Sequence, residues 1–336
     1  MNSTTLPASL YRDQAVYQTE RQQIFARSWL LVAHVSQLAS PGNYLAVTAA
    51  GYPLIVVCGD HGKVRAFHNV CRHRAGPFAN DGMGKCDGHL VCHYHGWRYT
   101  LDGQLAGVRD FGAGADFNPQ DYPLFEIQCE IWRGFVFVLM AKAADPFAAF
   151  IAPLDERAKR LPLEDFLFVK ATSHELACNW KTYAENFLEA YHIPVIHPYL
   201  NSTIDAADFD LQIRPPALFW EAPRKGDSPV SGLWAWVWPC LSVNVYTDGI
   251  LMERIWPLSV KTTRLDYMYL FPKGVDPAVI ARTLAASELT TSEDKSICEA
   301  VQHNLDAGVF DTGCLSPKHE QGLAWFQGEV LRAIQP

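Results

Sequence analysis

Two short loops, one beginning at Cys71 and the other at Cys92, constrain this sequence more than any other feature. The first loop offers Cys71 and His73 in a C-x-H pattern, and the second offers Cys92 and His95 in a C-x-x-H pattern. Each loop therefore supplies one thiolate and one imidazole. Structural zinc motifs usually pair Cys with Cys and His with His, and these loops do not follow that pattern. The four residues predict a metal centre on which both loops converge.

A Rieske 2Fe-2S cluster uses this distribution of ligands. Two Cys hold one of its irons and two His hold the other, so a loop with one residue of each type spans both irons. Ligand type and spacing therefore favour such a cluster on Cys71, His73, Cys92 and His95, with a zinc site as the alternative. Cys86 lies between the loops and is interpreted as an ordinary loop thiol, because no cationic residue is obviously paired with it.

The loop sequences CRHRAGPF and CHYHGWRYTLDGQL resemble the cluster loops of a known family, the Rieske non-haem iron oxygenases, and specifically their large (alpha) catalytic subunits. This family is also called the ring-hydroxylating oxygenases. The sequence departs from the family at two places: the segment NDGMGKCDGH lengthens the spacing between the loops, and His93 stands where Pro is common. Because an insertion into a surface turn costs little closure entropy, we expect an enlarged hairpin and undisturbed ligands.

The length of 336 residues predicts two domains, since one hydrophobic core stops growing below this size. Short β-rich runs punctuated by Gly and Asp fill residues 44–140 and predict a small antiparallel sandwich or barrel. The step from Asp145 to Pro146 predicts a boundary, because a residue before Pro is disfavoured in a helix. The predicted divisions are an N-terminal helical segment 1–36 that packs with the catalytic domain, a Rieske domain 37–144 and a catalytic domain 145–336.

Composition and charge bear on partners and compartment. The sequence is 49% hydrophobic and 19% charged, and its net charge of −8 without a Lys/Arg block argues against a nucleic-acid or anionic-membrane surface. The N-terminus lacks the pattern of a signal peptide, and no run reaches the roughly 18 apolar residues that a membrane span needs. We therefore expect a cytoplasmic protein, in which most of the nine Cys are buried thiols.

A second group of possible ligands lies in the segment CNWKTYAENFLEAYHIPVIHP. In one continuous helix, Glu185, Glu189 and His192 fall at i, i+4 and i+7 on the same face. Pro194 would then end the helix and let His197 return towards His192. The pair of His predicts one side of a mononuclear iron site, and an amphipathic helix with an acidic face is the alternative.

The resemblance completes this second site. Non-haem Fe(II) oxygenases bind iron through two His and one carboxylate, which leaves open positions for O2. In the family the carboxylate comes from a late helix, which SELTTSEDKSICEAVQHNLDAG resembles, and Asp294 occupies the matching position. Glu293 is the competing residue. The resemblance thus implies mononuclear Fe(II) on His192, His197 and Asp294.

The resemblance gives Glu189 a different role. The acidic residue at this position in the family does not bind iron; it accepts hydrogen bonds from an iron-ligand His and from a cluster His of the neighbouring subunit. Glu189 is therefore expected to be the electron-transfer bridge that receives electrons from His95 of the next protomer, in a homotrimer. Many aromatic-ring dioxygenases have Asp here, and a Glu resembles the branch that acts on quaternary ammonium compounds.

The sequence between His197 and Asp294 predicts an antiparallel sheet rich in aromatic residues. Its aromatic faces could stack on a ring or hold a methylammonium group by cation–π attraction, although a packed core stripe is the alternative for the three Trp of one strand face. The candidate residues of the substrate pocket are Phe219, Trp220, Trp234, Trp236, Trp238 and Tyr246.

These expectations combine into an α+β protein, with an antiparallel β Rieske domain and a catalytic domain of antiparallel sheet flanked by helices, of the helix-grip type. The resemblance implies an oxygenase component that uses O2 and receives electrons from NAD(P)H through a flavin or iron–sulfur reductase or a ferredoxin. The expected reaction is monooxygenation or oxidative demethylation of a small organic substrate, aromatic or a methylated amine. The alternatives are a cis-dihydroxylating dioxygenase, a Rieske electron carrier and a zinc-stabilised binding module.

Overall fold

The computed structural model describes residues 4–112, 116–141, 146–161, 163–206, 208–226 and 229–335. The chain divides into two compact units, one formed by Met1–Ser28 with Asp145–Pro336 and the other by Trp29–Ala144. The boundary was predicted between Asp145 and Pro146. Residues 142–145 lie outside the described residues. The shorter unit therefore lies, along the sequence, between two parts of the longer one.

The unit Trp29–Ala144 is built on a seven-stranded antiparallel sheet with a smaller three-stranded sheet. The strands of the larger sheet, in chain order, are β1 Leu30–His34, β2 Asn43–Ala49, β3 Tyr52–Cys58, β4 Val64–His68, β5 Gly82–Lys85, β9 Glu126–Trp132 and β10 Phe135–Leu139. Those of the smaller sheet are β6 His89–Val91, β7 Arg98–Thr100 and β8 Leu105–Gly107. The spatial order of the larger sheet is β1-β10-β9-β4-β3-β2-β5. The two cluster loops follow β4 and β6.

The N-terminal segment is helical over a shorter length than the predicted 1–36. Helix α1, Gln14–Gln23, begins after Asp13, whose carboxylate accepts the backbone N–H of Ala15 at 2.6 Å. Strand β1 is paired with β10, and all five of its residues are buried. An apolar run without polar gaps is typical of a strand that is covered on both faces, whereas a surface helix needs a polar face.

The unit formed by Met1–Ser28 and Asp145–Pro336 contains a second seven-stranded antiparallel sheet, in the order β11-β17-β16-β15-β14-β13-β12. Its strands are β11 Phe166–Leu176, β12 Asp210–Arg214, β13 Ala217–Glu221, β14 Val230–Val237, β15 Leu241–Tyr246, β16 Ile250–Ser259 and β17 Thr262–Pro272. The further helices are α2 Phe147–Ala158, α3 Trp180–Phe187, α4 Ile193–Ile196, α5 Pro198–Thr203, α6 Pro277–Asp306 and α7 Gln321–Ile334. The predicted α+β architecture of two antiparallel parts, the second flanked by helices, is confirmed.

Helix α3 is fixed at its first turn by polar contacts that reach α1. The side chain of Asn179 accepts the backbone N–H of Lys181 at 3.0 Å, which caps the helix. The Lys181 ammonium donates to Glu20 at 2.6 Å, and the Trp180 indole N–H donates to the same carboxylate at 2.8 Å. Both charged side chains are fully buried. Because the two opposite charges are paired with each other, this buried ion pair fixes the position of α3, which carries one wall of the candidate site.

The single helix predicted from residue 180 to His192 is wrong, because α3 ends at Phe187 and a turn leads to α4. The Glu189 carboxylate accepts the backbone N–H of His192 at 3.1 Å, a local side-chain bond that competes with helix continuation. Glu185 remains on α3 and does not share a face with Glu189 and His192.

Helix α6 carries the other wall of the candidate site. The Asp276 carboxylate accepts the N–H of Ala278 at 2.8 Å and caps its start. Ser287, Thr291 and Asp294 follow at i, i+4 and i+7, and all three are buried. The first two contact hydroxyl groups of β17. No helix in the described ranges is both long and apolar enough to cross a lipid bilayer.

Candidate active site

The two cluster loops place thiols inside the shorter unit and imidazoles at its surface. Cys71 and Cys92 are only 2% and 3% exposed, whereas His73 and His95 are exposed. The Nδ1 atoms of the two His lie 3.1 Å apart. This arrangement fits a 2Fe-2S cluster with one buried iron held by Cys and one exposed iron held by His.

Backbone hydrogen bonds fold each loop around its Cys. The Cys71 N–H donates to the Gly76 carbonyl at 2.9 Å, and the Cys92 N–H donates to the Trp97 carbonyl at 2.9 Å. A Cβ added at Gly76 would lie 2.8 Å from the Cys92 sulfur and 2.8 Å from the Tyr94 Cβ. Only glycine fits here, because the loops approach each other this closely.

Aromatic side chains border the cluster loops. The Trp97 indole stacks on the His73 ring, with centroids 4.8 Å apart and planes within 7°. The Tyr99 hydroxyl lies 3.7 Å from the Cys71 sulfur, where it can donate a hydrogen bond that tunes a cluster potential. Desolvation, together with the charges of His95 and Arg74, lowers the pKa of His73. A lowered pKa keeps the imidazole neutral, as a metal ligand must be.

The residues that lengthen the spacing between the loops form a strand at the edge of the larger sheet. Strand β5 pairs with β2, and the half-buried Cys86 thiol donates to the Gly42 carbonyl at 3.4 Å. His93, which replaces the common Pro, is exposed, and its backbone N–H donates to the Pro77 carbonyl at 2.9 Å. The extra length therefore lies outside the ligand positions themselves.

In the longer unit, His192, His197 and Asp294 converge. The two Nε2 atoms lie 3.1 Å apart, and Oδ1 of Asp294 lies 3.0 Å from His197 Nε2 and 3.6 Å from His192 Nε2. Metal bonds of about 2.1 Å at right angles separate ligand atoms by about 3.0 Å. The triangle has the size of one face of an octahedral metal site, so one ion can contact all three residues.

Each imidazole is oriented by a glutamate on its other nitrogen. Nδ1 of His192 lies 2.5 Å from Glu189 Oε1, and Nδ1 of His197 lies 2.7 Å from Glu293 Oε2. A carboxylate at Nδ1 places the ring proton there and leaves the Nε2 lone pair towards the centre of the triangle. Glu293, the competing ligand in the sequence, thus lies on the far side of the His197 ring from Asp294. The orienting role of Glu293 was missed at the sequence level.

The electrostatics of the triangle suit a divalent cation. Burial lowers the pKa of His197, but hydrogen bonds and charge from Asp294 and then Glu293 outweigh it, so the pKa is raised overall. Asn186, also missed at the sequence level, donates its amide N–H to Oδ1 of Asp294 at 2.6 Å. Three carboxylates around two imidazoles make a site that a cation would neutralise, and two His with one carboxylate are the donors preferred by non-haem Fe(II).

A cavity opens beside the triangle, between the second sheet and helices α3 and α6. Three of the six predicted wall residues, Trp220, Trp234 and Tyr246, line it. The other apolar lining residues were missed at the sequence level and are Phe187, Ile193, Leu200, Phe209, Val230, Val245 and Leu251. The cavity is thus apolar and aromatic on one side and holds the three candidate ligands on the other.

Phe219, Trp236 and Trp238 do not line this cavity, so the prediction for these three residues is corrected. Successive side chains of a strand face opposite sides, and Phe219 lies on the far side of β13 from Trp220, under the Arg157 guanidinium at 5.5 Å. Trp236 and Trp238 instead pack on Phe326 of α7, each with ring centroids 5.7 Å from it. They form the core stripe that the sequence offered as the alternative.

Comparison with known proteins follows this geometry. The Rieske [2Fe-2S] domain family model matches residues 28–118, and the model of the ring-hydroxylating alpha subunit (catalytic domain) matches residues 163–226 and 212–336. The chain therefore belongs to the Rieske non-haem iron oxygenases, oxidoreductases that carry a Rieske 2Fe-2S cluster and a mononuclear iron. The resemblance read from the loops is confirmed, and the zinc-module and electron-carrier alternatives are set aside.

Three of the curated relatives are named as monooxygenases or as their oxygenase subunits. The glycine betaine monooxygenase oxygenase subunit of Pseudomonas aeruginosa (strain UCBPP-PA14) is 28% identical over 99% of this chain and 90% of its own length. The carnitine monooxygenase oxygenase subunit of Escherichia coli (strain K12) is 28% identical over 88% of this chain and 78% of its own. The chloroplastic choline monooxygenase of Beta vulgaris is 25% identical over 99% of this chain and 78% of its own.

Solved structures agree with this grouping. The quaternary ammonium Rieske monooxygenase CntA in complex with L-carnitine superposes with a TM-score of 0.88 at 26% identity, covering 99% of this chain and 96% of that one. Naphthalene 1,2-dioxygenase with indole bound gives a TM-score of 0.77 at 20% identity, over 89% of this chain and 80% of that one. The second comparison supports the fold alone.

Proposed function

We propose that this protein is the oxygenase component of a multicomponent Rieske system that monooxygenates or oxidatively demethylates a methylated amine. The observation that carries the proposal is the convergence of His192, His197 and Asp294 at the mouth of an aromatic cavity. The relatives named for glycine betaine, carnitine and choline favour a quaternary ammonium substrate. The balanced reaction converts a C–H bond, O2, two electrons and two protons into C–OH and water.

The residues divide into two cofactor sites in this proposal. Cys71, His73, Cys92 and His95 hold the 2Fe-2S cluster in the unit Trp29–Ala144, which is the Rieske domain. His192, His197 and Asp294 hold the iron in the other unit, which is the catalytic domain. The iron, when bound, would supply the O2 chemistry. A reductase or ferredoxin that draws on NAD(P)H supplies the electrons.

The chain's own side chains orient both the ligands and the substrate. Glu189 and Glu293 keep the protons of the two imidazoles on Nδ1, and Asn186 holds Oδ1 of Asp294. Trp220, Trp234 and Tyr246 offer aromatic faces on which a methylammonium group is held by cation–π attraction. A substrate held there excludes water and keeps one methyl group near the triangle, which favours attack on that carbon.

Electron transfer is proposed to run between subunits. The exposed His95 is suited to meet a neighbour, and Glu189 already holds an imidazole of the iron site. A quaternary ammonium Rieske monooxygenase with a TM-score of 0.91 and 25% identity is described with inter-subunit electron transfer. A head-to-tail interface closes by rotational symmetry, and we propose a homotrimer. The seven cysteines outside the cluster loops form no disulfide bond, which fits the reducing cytoplasm.

The test is a product analysis with the holoenzyme, a reductase and NADH under 18-O2. Choline, glycine betaine, carnitine and aromatic acids serve as the panel, and His192→Ala serves as the control that should keep the cluster spectrum without turnover. We expect a methylated amine to be consumed with one NADH oxidised per O2 and at most one labelled oxygen in the organic product. A cis-diol with two labelled oxygens from an aromatic acid, and no amine turnover, would contradict the proposal.

A further inference from the structure

Glu253 places a carboxylate in the wall of the cavity. It belongs to β16, lines the cavity and is only 2% exposed. The Tyr183 hydroxyl donates to Oε1 at 2.6 Å, and the Ser242 hydroxyl donates to Oε2 at 2.5 Å. The Tyr267 hydroxyl lies 3.2 Å from the Tyr183 hydroxyl. Hydroxyl groups from α3 and β15 therefore hold the two oxygens of the carboxylate in one orientation.

The Glu253 carboxylate has no countercharge among the described residues. Within the described ranges, no Lys, Arg or His forms an ion pair with it. Glu20 provides the comparison: this fully buried carboxylate is paired with Lys181 at 2.6 Å. Where a buried carboxylate has a structural role, as in Glu20, this chain pairs it with a cationic side chain. Burial, together with the charge of Asp294, raises the pKa of Glu253 overall, although its hydroxyl donors act in the opposite direction. A buried carboxylate without a cation is costly, and a ligand can supply the missing charge.

The other charges around the cavity do not compete for this role. Glu189 and Asp294 also line the cavity, but they face the imidazoles of the triangle. Among the described lining residues there is neither Lys nor Arg. The negative charge that remains available to a substrate is therefore that of Glu253.

We propose that Glu253 is a specificity-determining residue that selects a positively charged substrate by through-space attraction from the cavity wall. The proposal rests on the proposed function of the site and names the residue that would select the quaternary ammonium cation. The aromatic side chains would surround the methyl groups, while the carboxylate, already bonded to hydroxyls, would not form a direct ion pair. In an interior of low dielectric, a fixed charge several ångströms away is sufficient for discrimination.

The first test compares a cation with its uncharged isostere. Choline and 3,3-dimethylbutan-1-ol share shape and hydroxyl group and differ in a nitrogen replaced by carbon. Binding to the oxidised holoenzyme is measured by titration calorimetry without reductase, so no turnover is involved. We expect the wild-type protein to bind choline at least about tenfold more tightly than the isostere. Equal affinity for the two compounds would overturn the proposal.

The second test removes the charge. Glu253→Gln should reduce the preference for choline by about tenfold with little change for the isostere, and Glu253→Asp should retain most of the preference. Glu185→Gln is the matched control, because this half-buried carboxyl group lies outside the cavity and bonds to Tyr11 and Gln327. It should leave the preference unchanged. If Glu253→Gln does not accumulate, Glu253→Met fills a similar volume without charge.

Turnover separates a role in binding from a role in chemistry. With a cationic substrate, Glu253→Gln should raise KM by about tenfold and leave kcat within about threefold. A fall in kcat with an unchanged choline preference would overturn the proposal. If no methylated amine binds or is turned over by the wild-type protein, the proposed function fails. If amines bind but Glu253→Gln keeps the preference, only the role of Glu253 fails.

Discussion

Glu293 and Asp294 are neighbours on α6, and their carboxylates contact opposite nitrogens of one imidazole. Glu293 Oε2 lies 2.7 Å from Nδ1 of His197, and Asp294 Oδ1 lies 3.0 Å from its Nε2. Adjacent side chains on a helix point about 100° apart around the axis, so they can reach two edges of one ring. One carboxylate is therefore positioned as a ligand and the other as the group that orients the ligand.

This relationship predicts different losses from the two variants. Asp294→Ala should lose the mononuclear iron, because it removes one vertex of the triangle. Glu293→Gln should bind iron with roughly 10- to 100-fold lower affinity and regain it in excess Fe(II). Iron analysis together with the cluster absorbance provides the measurement, and both variants should keep the cluster. Retention of iron in Asp294→Ala with loss in Glu293→Gln would reverse the two assignments.

Glu189→Gln should keep a reducible cluster and, in excess Fe(II), the mononuclear iron, but lose turnover by orders of magnitude. The amide preserves volume while weakening the charge-assisted hydrogen bonds through which the bridge would act. Metal content, cluster spectrum and single-turnover rate are the measurements. An iron-depleted Glu189→Gln beside an iron-replete Asp294→Ala would instead identify Glu189 as the third ligand.

A mixed oligomer tests the electron path between subunits. Cys71→Ser should abolish the cluster, and His192→Ala should abolish the iron site, so each variant alone is inactive. If a cluster serves the neighbouring iron, co-expressed and co-purified mixtures should recover part of the wild-type activity. Sedimentation at the assay concentration should give a trimer. Inactive mixed rings, or a fully active monomer, would contradict this path.

Glu185 should make stability depend on pH. Burial raises the pKa of its carboxyl group from 4.5 to about 7, while hydrogen bonds from Tyr11 and Gln327 and the charge of Lys181 oppose the shift and Glu320 adds to it. The folded state therefore binds this proton more tightly than the unfolded state, so stability falls as pH rises from 4.5 to about 7 and then levels off.

The variant Glu185→Gln lacks this titration, and its amide oxygen can still accept both hydrogen bonds. Urea unfolding at pH 5 and pH 8 should show the variant gaining on the wild type at the higher pH, by up to about 3 kcal/mol. A difference between the two proteins that is the same at both pH values would show that Glu185 does not titrate in this range.

The sequence was sufficient to predict the candidate ligands that lie close together along the chain. The C-x-H and C-x-x-H loops, and His192 with His197, lie close together along the chain, so short motifs were enough to select the residues that now lie together. The end of α3 at Phe187 could not be read in the same way. The segment carries no Gly or Pro there, and the helix stops because Glu189 bonds to the backbone of His192.

The residues that line the cavity were harder to predict from the sequence, because elements distant along the chain determine which aromatic side chains stay uncovered. Trp234 and Trp236 lie on the same strand, yet Trp236 is covered by Phe326, which comes from the last helix. The sequence around Glu253 also indicated a polar site, which was not predicted. It lies with Arg254 inside the apolar run ILMERIWPL, and both are buried, at 2% and 6% exposure. Two adjacent charged residues within an otherwise apolar strand indicate a polar function in the interior.

The position of Trp29–Ala144 within the sequence has a consequence for synthesis on the ribosome. The shorter unit is complete once residue 144 has emerged, so its core can form early. Helix α1 is made first but must wait for its partner, because Glu20 bonds to Trp180 and Lys181, 160 and 161 residues later. Such long-range contacts are slow to form and leave apolar surface uncovered meanwhile. Helix α1 therefore stays without its buried polar contacts until residue 181 has been made.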